Sequence, residues 1–167
     1  MSRILILALF LFSGCASLKD SFIPSKPQEA YIQATRKTEI LKEDTVEFVL
    51  IITHLNSFSS EYLRENGEVF FVDIYSNSKG DFFSSYKLSL NSGDKPLKIT
   101  KLKKEELSGQ MLENATSWGE YYIVEFPPQE RRIQNALQII LSDFSGSEIG
   151  FLNFGFKPLS KQDLRSR

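Results

Sequence analysis

Cysteine, histidine and tryptophan occur once each in the 167 residues, as Cys15, His54 and Trp118. A single cysteine excludes an internal disulfide, so a folded domain must be held by its apolar core alone. One histidine without a second thiol excludes zinc held by His and Cys ligands. An excess of charge is lacking too: 20 Lys and Arg stand against 21 Asp and Glu. With no basic excess and no basic–aromatic stripe, nucleic acid is excluded as a partner. Phosphate-binding glycine loops and nucleotide fingerprints are absent, and so are internal repeats. No cofactor is implied.

What is present begins at residues 4–12, an unbroken apolar run behind Arg3, the only charge before Lys19. At about 1.5 Å per helical residue the run covers roughly half of a hydrocarbon core about 30 Å thick, too little for a permanent span. A basic start, an apolar middle and small residues after it form the layout of a secretory signal peptide. Leu11, Phe12, Ser13, Gly14 and Cys15 follow one another at its end.

This resembles the lipobox of bacterial lipoproteins, which runs Leu, a small residue, Gly or Ala, then Cys; Phe12 stands where that family usually has Leu. The resemblance implies that residues 1–14 are cleaved and that the Cys15 thiol carries a diacylglyceryl group, with the new amino terminus open to acylation by palmitate-like chains. Two or three chains anchor stably where one is marginal, each buried CH₂ contributing about 0.8 kcal/mol. Ala16, in place of Asp after the cysteine, implies the outer membrane, facing the periplasm, over the inner membrane.

Residues 15–31 read as the lipidated N-terminus and a tether, extended and solvated, with Lys19, Asp20, Pro24, Ser25, Lys26 and Pro27 among few apolar residues and Tyr31 able to pack back. A single domain over 32–157 follows, then a polar tail over 158–167. The domain shows strand after strand: a charged edge strand at 32–41, a doubly apolar strand at 45–55, then 68–75, 82–90, a short run at Leu97, Ile99 and Leu102, and 119–126. The last two, 136–142 and 148–156, form a hairpin around 143–147. Helical turns are expected at 59–66 and over 103–114. Seven or eight short strands without a long helix predict an all-β fold, an antiparallel β-sandwich compatible with immunoglobulin-like topology, with a closed β-barrel as the alternative.

Candidate chemistry is sparse. Asn77, Lys79, Gly80 and Asp81 lack calcium-loop spacing and read as a hairpin turn. His54 with Ser57, Ser59 or Ser60 and a carboxylate such as Asp73 or Asp143 has the residue types of a nucleophilic serine. No nucleophile elbow accompanies them, and a histidine at a strand end reads first as a cap on the core. Glu120, Glu125, Asp143 and Glu148 could supply paired acids, with Glu125 on the face of Tyr121 and Ile123; a structural role is the simpler reading. Asn114-Ala115-Thr116 matches a glycan-acceptor pattern that carries little weight in an envelope protein. Aromatics cluster in two segments, Trp118, Tyr121, Tyr122 and Phe126 in one and Phe151, Phe154 and Phe156 in the other. Exposed together they would form a platform for a sugar ring, a peptide or an apolar ligand, and filling the core is the simpler reading. Trp118, Tyr121 and Tyr122 are the candidate binding surface, with Trp118, beside Gly119, the one expected outside.

These readings converge on a lipid-anchored cell-envelope lipoprotein whose β domain is non-catalytic and binds an envelope protein or polymer. The alternatives are a carrier of an apolar small ligand and a carboxylate-dependent hydrolase. Replacing Cys15→Ser should abolish metabolic labelling with a fatty-acid analogue and move the protein from the membrane to the soluble fraction. A serine variant that still fractionates with membranes would refute the anchor.

Overall fold

The computed structural model describes residues 24–59, 67–77, 80–129 and 137–155. Cys15 and the leader, most of the tether, Ser60, Ser78, Lys79, Phe156 and the tail lie outside them. Among the described residues no helix is long and apolar enough to cross a membrane.

The chain enters through helix α1 (Lys26–Gln33), so the segment expected to be extended is helical from Lys26 onward. Ser25 supplies the cap, its Oγ accepting from the Gln28 N–H at 3.4 Å, and Pro27 presets the first turn. Tyr31 is buried and commits the helix to the body of the protein. Strand β1 (Thr35–Lys42) turns at Glu43 and Asp44, both at positive φ, into β2 (Thr45–His54). β3 (Glu68–Ser76) follows.

Two expected elements break. In place of one strand over 82–90, Phe82–Ser85 make a helical turn, α2, before strand β4 (Tyr86–Leu90). A strand would send Phe82 and Phe83 to opposite faces. The turn lets both pack inward, Phe82 against Phe48 at 5.5 Å and Phe83 against Tyr122 at 5.0 Å. After β5 (Lys98–Leu102), the helix expected over 103–114 is a 3-10 turn at Lys104–Glu106 and a separate α3 (Gly109–Asn114). Leu107 is extended and buried between them, and Gly109 at φ +52° makes the reversal that restarts the helix. β6 (Glu120–Phe126), β7 (Leu137–Asp143) and β8 (Glu148–Phe154) complete the chain.

All pairings are antiparallel and form two sheets, ordered β1-β2-β3-β6-β5 and β4-β7-β8. They stack as a sandwich and do not close into the alternative barrel. Leaving β1 aside, β2 through β8 in chain order take the places A to G of the seven-strand immunoglobulin constant-type arrangement, ABED over CFG. β1 is an added edge strand beside A, as its charges lead one to expect. No disulfide joins the strands in places B and F. Instead β3 contributes Phe70, Val72 and Ile74, and β7 contributes Leu137, Ile139 and Leu141, to the cluster between the sheets.

A second cluster, Leu55, Val69, Phe71, Leu107 and Tyr121, lies on the outer face of the five-stranded sheet, with Met111 and Ala115 packed onto it. The five-stranded sheet is therefore covered on both faces. On the outer face of the three-stranded sheet Ile149 and Phe151 are exposed.

Phe70 joins the layers, its ring meeting Phe126 at 5.7 Å, Phe154 at 5.2 Å and the His54 imidazole at 4.8 Å. Phe70→Ala should lower the unfolding free energy by about 3–5 kcal/mol, read from denaturant titration at unchanged slope.

Candidate functional site

The feature that organises one end of the sandwich is a buried carboxylate. Asp73 on the outer face of β3 is only 2% exposed. Its Oδ2 accepts from the Thr116 N–H at 2.8 Å and its Oδ1 from the Thr116 hydroxyl at 2.9 Å. The Tyr121 hydroxyl donates to the Thr116 carbonyl. Thr116 is thus held through its N–H, its hydroxyl and its carbonyl. Gly119 closes the arrangement: a Cβ there would lie 1.9 Å from Asp73 Oδ1 and 2.5 Å from Thr116 Oγ1. Only glycine lets the chain pass between these groups.

The loop so pinned carries Trp118, which is 80% exposed. Ordering a loop costs backbone entropy, and here it is spent to hold the chain's only tryptophan in water. Trp118 stands at the edge of a cleft of about 330 Å³ lined also by Phe48, Ile74, Ser76, Asp81, Phe82 and Glu120. The Ile74↔Glu120 register places the end of β3 beside the start of β6, bringing the β3–β4 and β5–β6 connections together. In this topology the loops at one end of a rigid sandwich converge in the same way. Asp81 occupies the cap position of α2 yet makes no capping hydrogen bond through its side chain. Glu120 is engaged twice, accepting from the Tyr122 hydroxyl at 2.6 Å and pairing with Lys101 at 3.0 Å. The Tyr122 bond, with Lys101 behind it, holds the Glu120 carboxyl below its ordinary value.

The three aromatics expected to share a surface are separated. Tyr121 and Tyr122 are both buried, on opposite faces of β6, in the outer and inner clusters respectively. Strand alternation sends neighbours to opposite sides, so only Trp118, outside the strand, remains exposed. Phe154 is buried in the core, while Phe151 is exposed on the three-stranded sheet.

His54 lies at the opposite end. Its Nδ1 meets Ser57 Oγ at 2.6 Å and its Nε2 meets Glu68 Oε2 at 2.7 Å. Neither Asp73 nor Asp143 is its carboxylate partner. Asn56 accepts from the Val69 N–H at 2.7 Å and donates to the Gly67 carbonyl at 3.0 Å. A serine–histidine–carboxylate series has the order of a nucleophile relay. Here Ser57 lies one turn after His54, and the histidine and Asn56 together tie the end of β2 to the start of β3. We read the set as a polar clasp on that connection.

The acids do not converge. Glu125 pairs with Lys98 at 3.8 Å, and Glu148 is exposed at the start of β8. Asp143 holds its own turn through Ser145 and the Ser147 N–H. In the glycan-acceptor pattern, the Asn114 amide donates to the Gln110 carbonyl and Thr116 is the latch residue. Among the described residues no three His, Cys, Asp or Glu side chains cluster as metal ligands. Sequence reasoning missed Asp81 as a cleft residue and Asp73 as a latch. A lone charge inside the apolar run of β3 was the available signal for the second.

No protein-family model matches this chain, and no curated protein or solved structure matches it significantly. The site therefore stands on its own geometry.

Burial raises the Asp73 carboxyl above its ordinary 3.8, against the lowering effect of the two Thr116 bonds and the Lys104 charge. A carboxyl raised in the folded state contributes stability that is full below its unfolded value and is lost as pH rises through the folded one. Asp73→Asn keeps a partner for each Thr116 group but cannot titrate. The unfolding free energy of wild type minus that of Asp73→Asn should therefore fall as pH rises from 3.8 toward neutrality. A difference that stays flat would show that burial does not govern this group.

Proposed function

We propose that this chain is a lipid-anchored cell-envelope lipoprotein whose immunoglobulin-type sandwich is a binding domain, engaging an envelope partner through the Trp118 end. The observation that carries the reading is the contrast at Trp118: the largest aromatic side chain is exposed while the loop beneath it is held by a buried carboxylate. An aromatic that merely filled space would be covered, and one exposed by accident would not sit on a pinned loop. Aromatic side chains displayed on rigid supports are the usual anchors of binding surfaces.

Anchoring and docking belong together in this proposal. Cys15 stands nine residues before Pro24, a stretch that reaches at most about 30 Å when fully extended. A lipid on Cys15 would confine the domain close to the bilayer surface, in the outer membrane facing the periplasm on the reading of Ala16. Confinement raises the effective concentration of any partner held in the same layer, so a modest surface suffices for occupancy.

Affinity capture from cross-linked envelopes, comparing wild type with Trp118→Ala, tests the docking surface. Trp118→Ala should fold with unchanged stability, since it removes an exposed side chain, and should reduce recovery of the captured component by about tenfold or more. Equal recovery by both proteins would sink the role assigned to Trp118.

A further inference from the structure

We propose that the Trp118 cleft binds the ring of a neutral saccharide within an envelope glycan. The inference rests on the docking role of Trp118 and specifies the chemistry of what docks. Three ligand classes could meet an exposed indole beside carboxylates, and the charges in the cleft decide between them.

A cation would be attracted by the indole face and by Asp81 and Glu120. Glu120 is already neutralised, however, with Lys101 Nζ 3.0 Å from one oxygen and the Tyr122 hydroxyl 2.6 Å from the other. Lys101 also lies 5.5 Å from the centre of the Tyr122 ring, so the protein's own cation already uses these groups. What remains is Asp81, exposed to water, and a surface ion pair of that kind changes affinity by no more than about fivefold. Among the described residues lining the cleft the charged ones are Asp81 and Glu120, and both carboxylates oppose an anionic ligand. A wholly apolar ligand would strip water from the Asp81 and Glu120 carboxylates and return no hydrogen bonds.

A pyranose meets each condition. It has one C–H face that lies against an aromatic ring and hydroxyl groups around its rim. Trp118 offers an exposed ring, and Asp81 and Glu120 line the same cleft with carboxylate oxygens. The Asp81 carboxylate, unused in capping α2, can accept from two vicinal hydroxyls, and hydrogen bonds to an ionised acceptor are the stronger kind. At about 330 Å³ the cleft falls at the lower end of the range for small-ligand sites. Phe48 and Phe82 are held edge to face at 5.5 Å, and the loop is pinned through Thr116. Little ordering is left to be done when a ligand arrives.

Because Trp118 is the only tryptophan, its fluorescence reports on this cleft alone. The full chain, purified in detergent, would be titrated with soluble neutral oligomers of glucose and of N-acetylglucosamine, with hexalysine and a polyglutamate peptide as charged probes. Calorimetry would run in parallel. At least one neutral oligomer should give a saturable shift in tryptophan emission. Asp81→Asn should weaken it by about tenfold, and Trp118→Ala should abolish the heat of binding while leaving the thermal midpoint unchanged. The inference is overturned if no neutral oligomer saturates by about 10 mM, if hexalysine binds more tightly than every saccharide, or if Trp118→Ala binds as well as wild type. Loss of envelope capture by Trp118→Ala without any saccharide response would overturn the glycan assignment and leave the docking role standing.

Discussion

Strand β3 is buried on both faces, and most of the structure follows from that constraint. Phe70, Val72 and Ile74 point between the sheets, while Val69, Phe71 and Asp73 point outward and are buried too. The inner residues call for a second sheet. The outer ones call for a cover, which α1, Leu107 and α3 supply by crossing the outside of the five-stranded sheet. A sandwich without disulfides depends on such double coverage, because each buried apolar side chain contributes roughly 1.5–3 kcal/mol and no covalent tie replaces any of it.

Asp73 is the charged member of this doubly buried set, and its energetics explain its role. Removing a carboxylate from water costs several kcal/mol, whereas hydrogen bonds to a charged group return about 1.5–3 kcal/mol each. Two bonds from Thr116 bring the sum near balance, so the group gives the fold little net stability. What it does give is position. The loop after α3 has one place to sit, Gly119 is the only residue type that fits beneath it, and Trp118 is displayed as a consequence. The same economy of polar groups holds at the other end. There the four contacts of His54 and Asn56 fix where the β2–β3 connection begins and ends.

The proposed binding surface is thus built from connections rather than strands. Asp81, Trp118 and Glu120 come from the β3–β4 connection, the β5–β6 connection and the first residue of β6. Lys101 on β5 neutralises Glu120 across the sheet, and this pairing sets the polarity of the cleft more than the number of acids in it. A cleft of this construction can be reshaped by loop substitution while the sheets stay as they are.

Strand content, the edge position of β1 and the sandwich were legible in the sequence because alternation with period two survives wherever a strand has distinct faces. Residues 45–55, apolar on both sides, are expected to be covered on both, whereas Phe48, Leu50 and Ile52 are buried and Val49 and Ile51 on the other face are only half-buried. Local breaks were not legible. Ser25-Lys26-Pro27 was read as a tether although it is a helix start, and Phe82-Phe83 looked like strand until a core wanting both rings made a turn of it. The aromatic trio Trp118, Tyr121 and Tyr122 shows the limit most plainly. Their spacing alone says that Tyr121 and Tyr122 face opposite ways, but not that both faces are covered. The sequence by itself determined the class of fold and, through its single cysteine, the absence of an internal disulfide. Only the tertiary structure decided which aromatic remains outside, because Asp73 meets Thr116 across 43 residues of chain and no local pattern encodes that pairing.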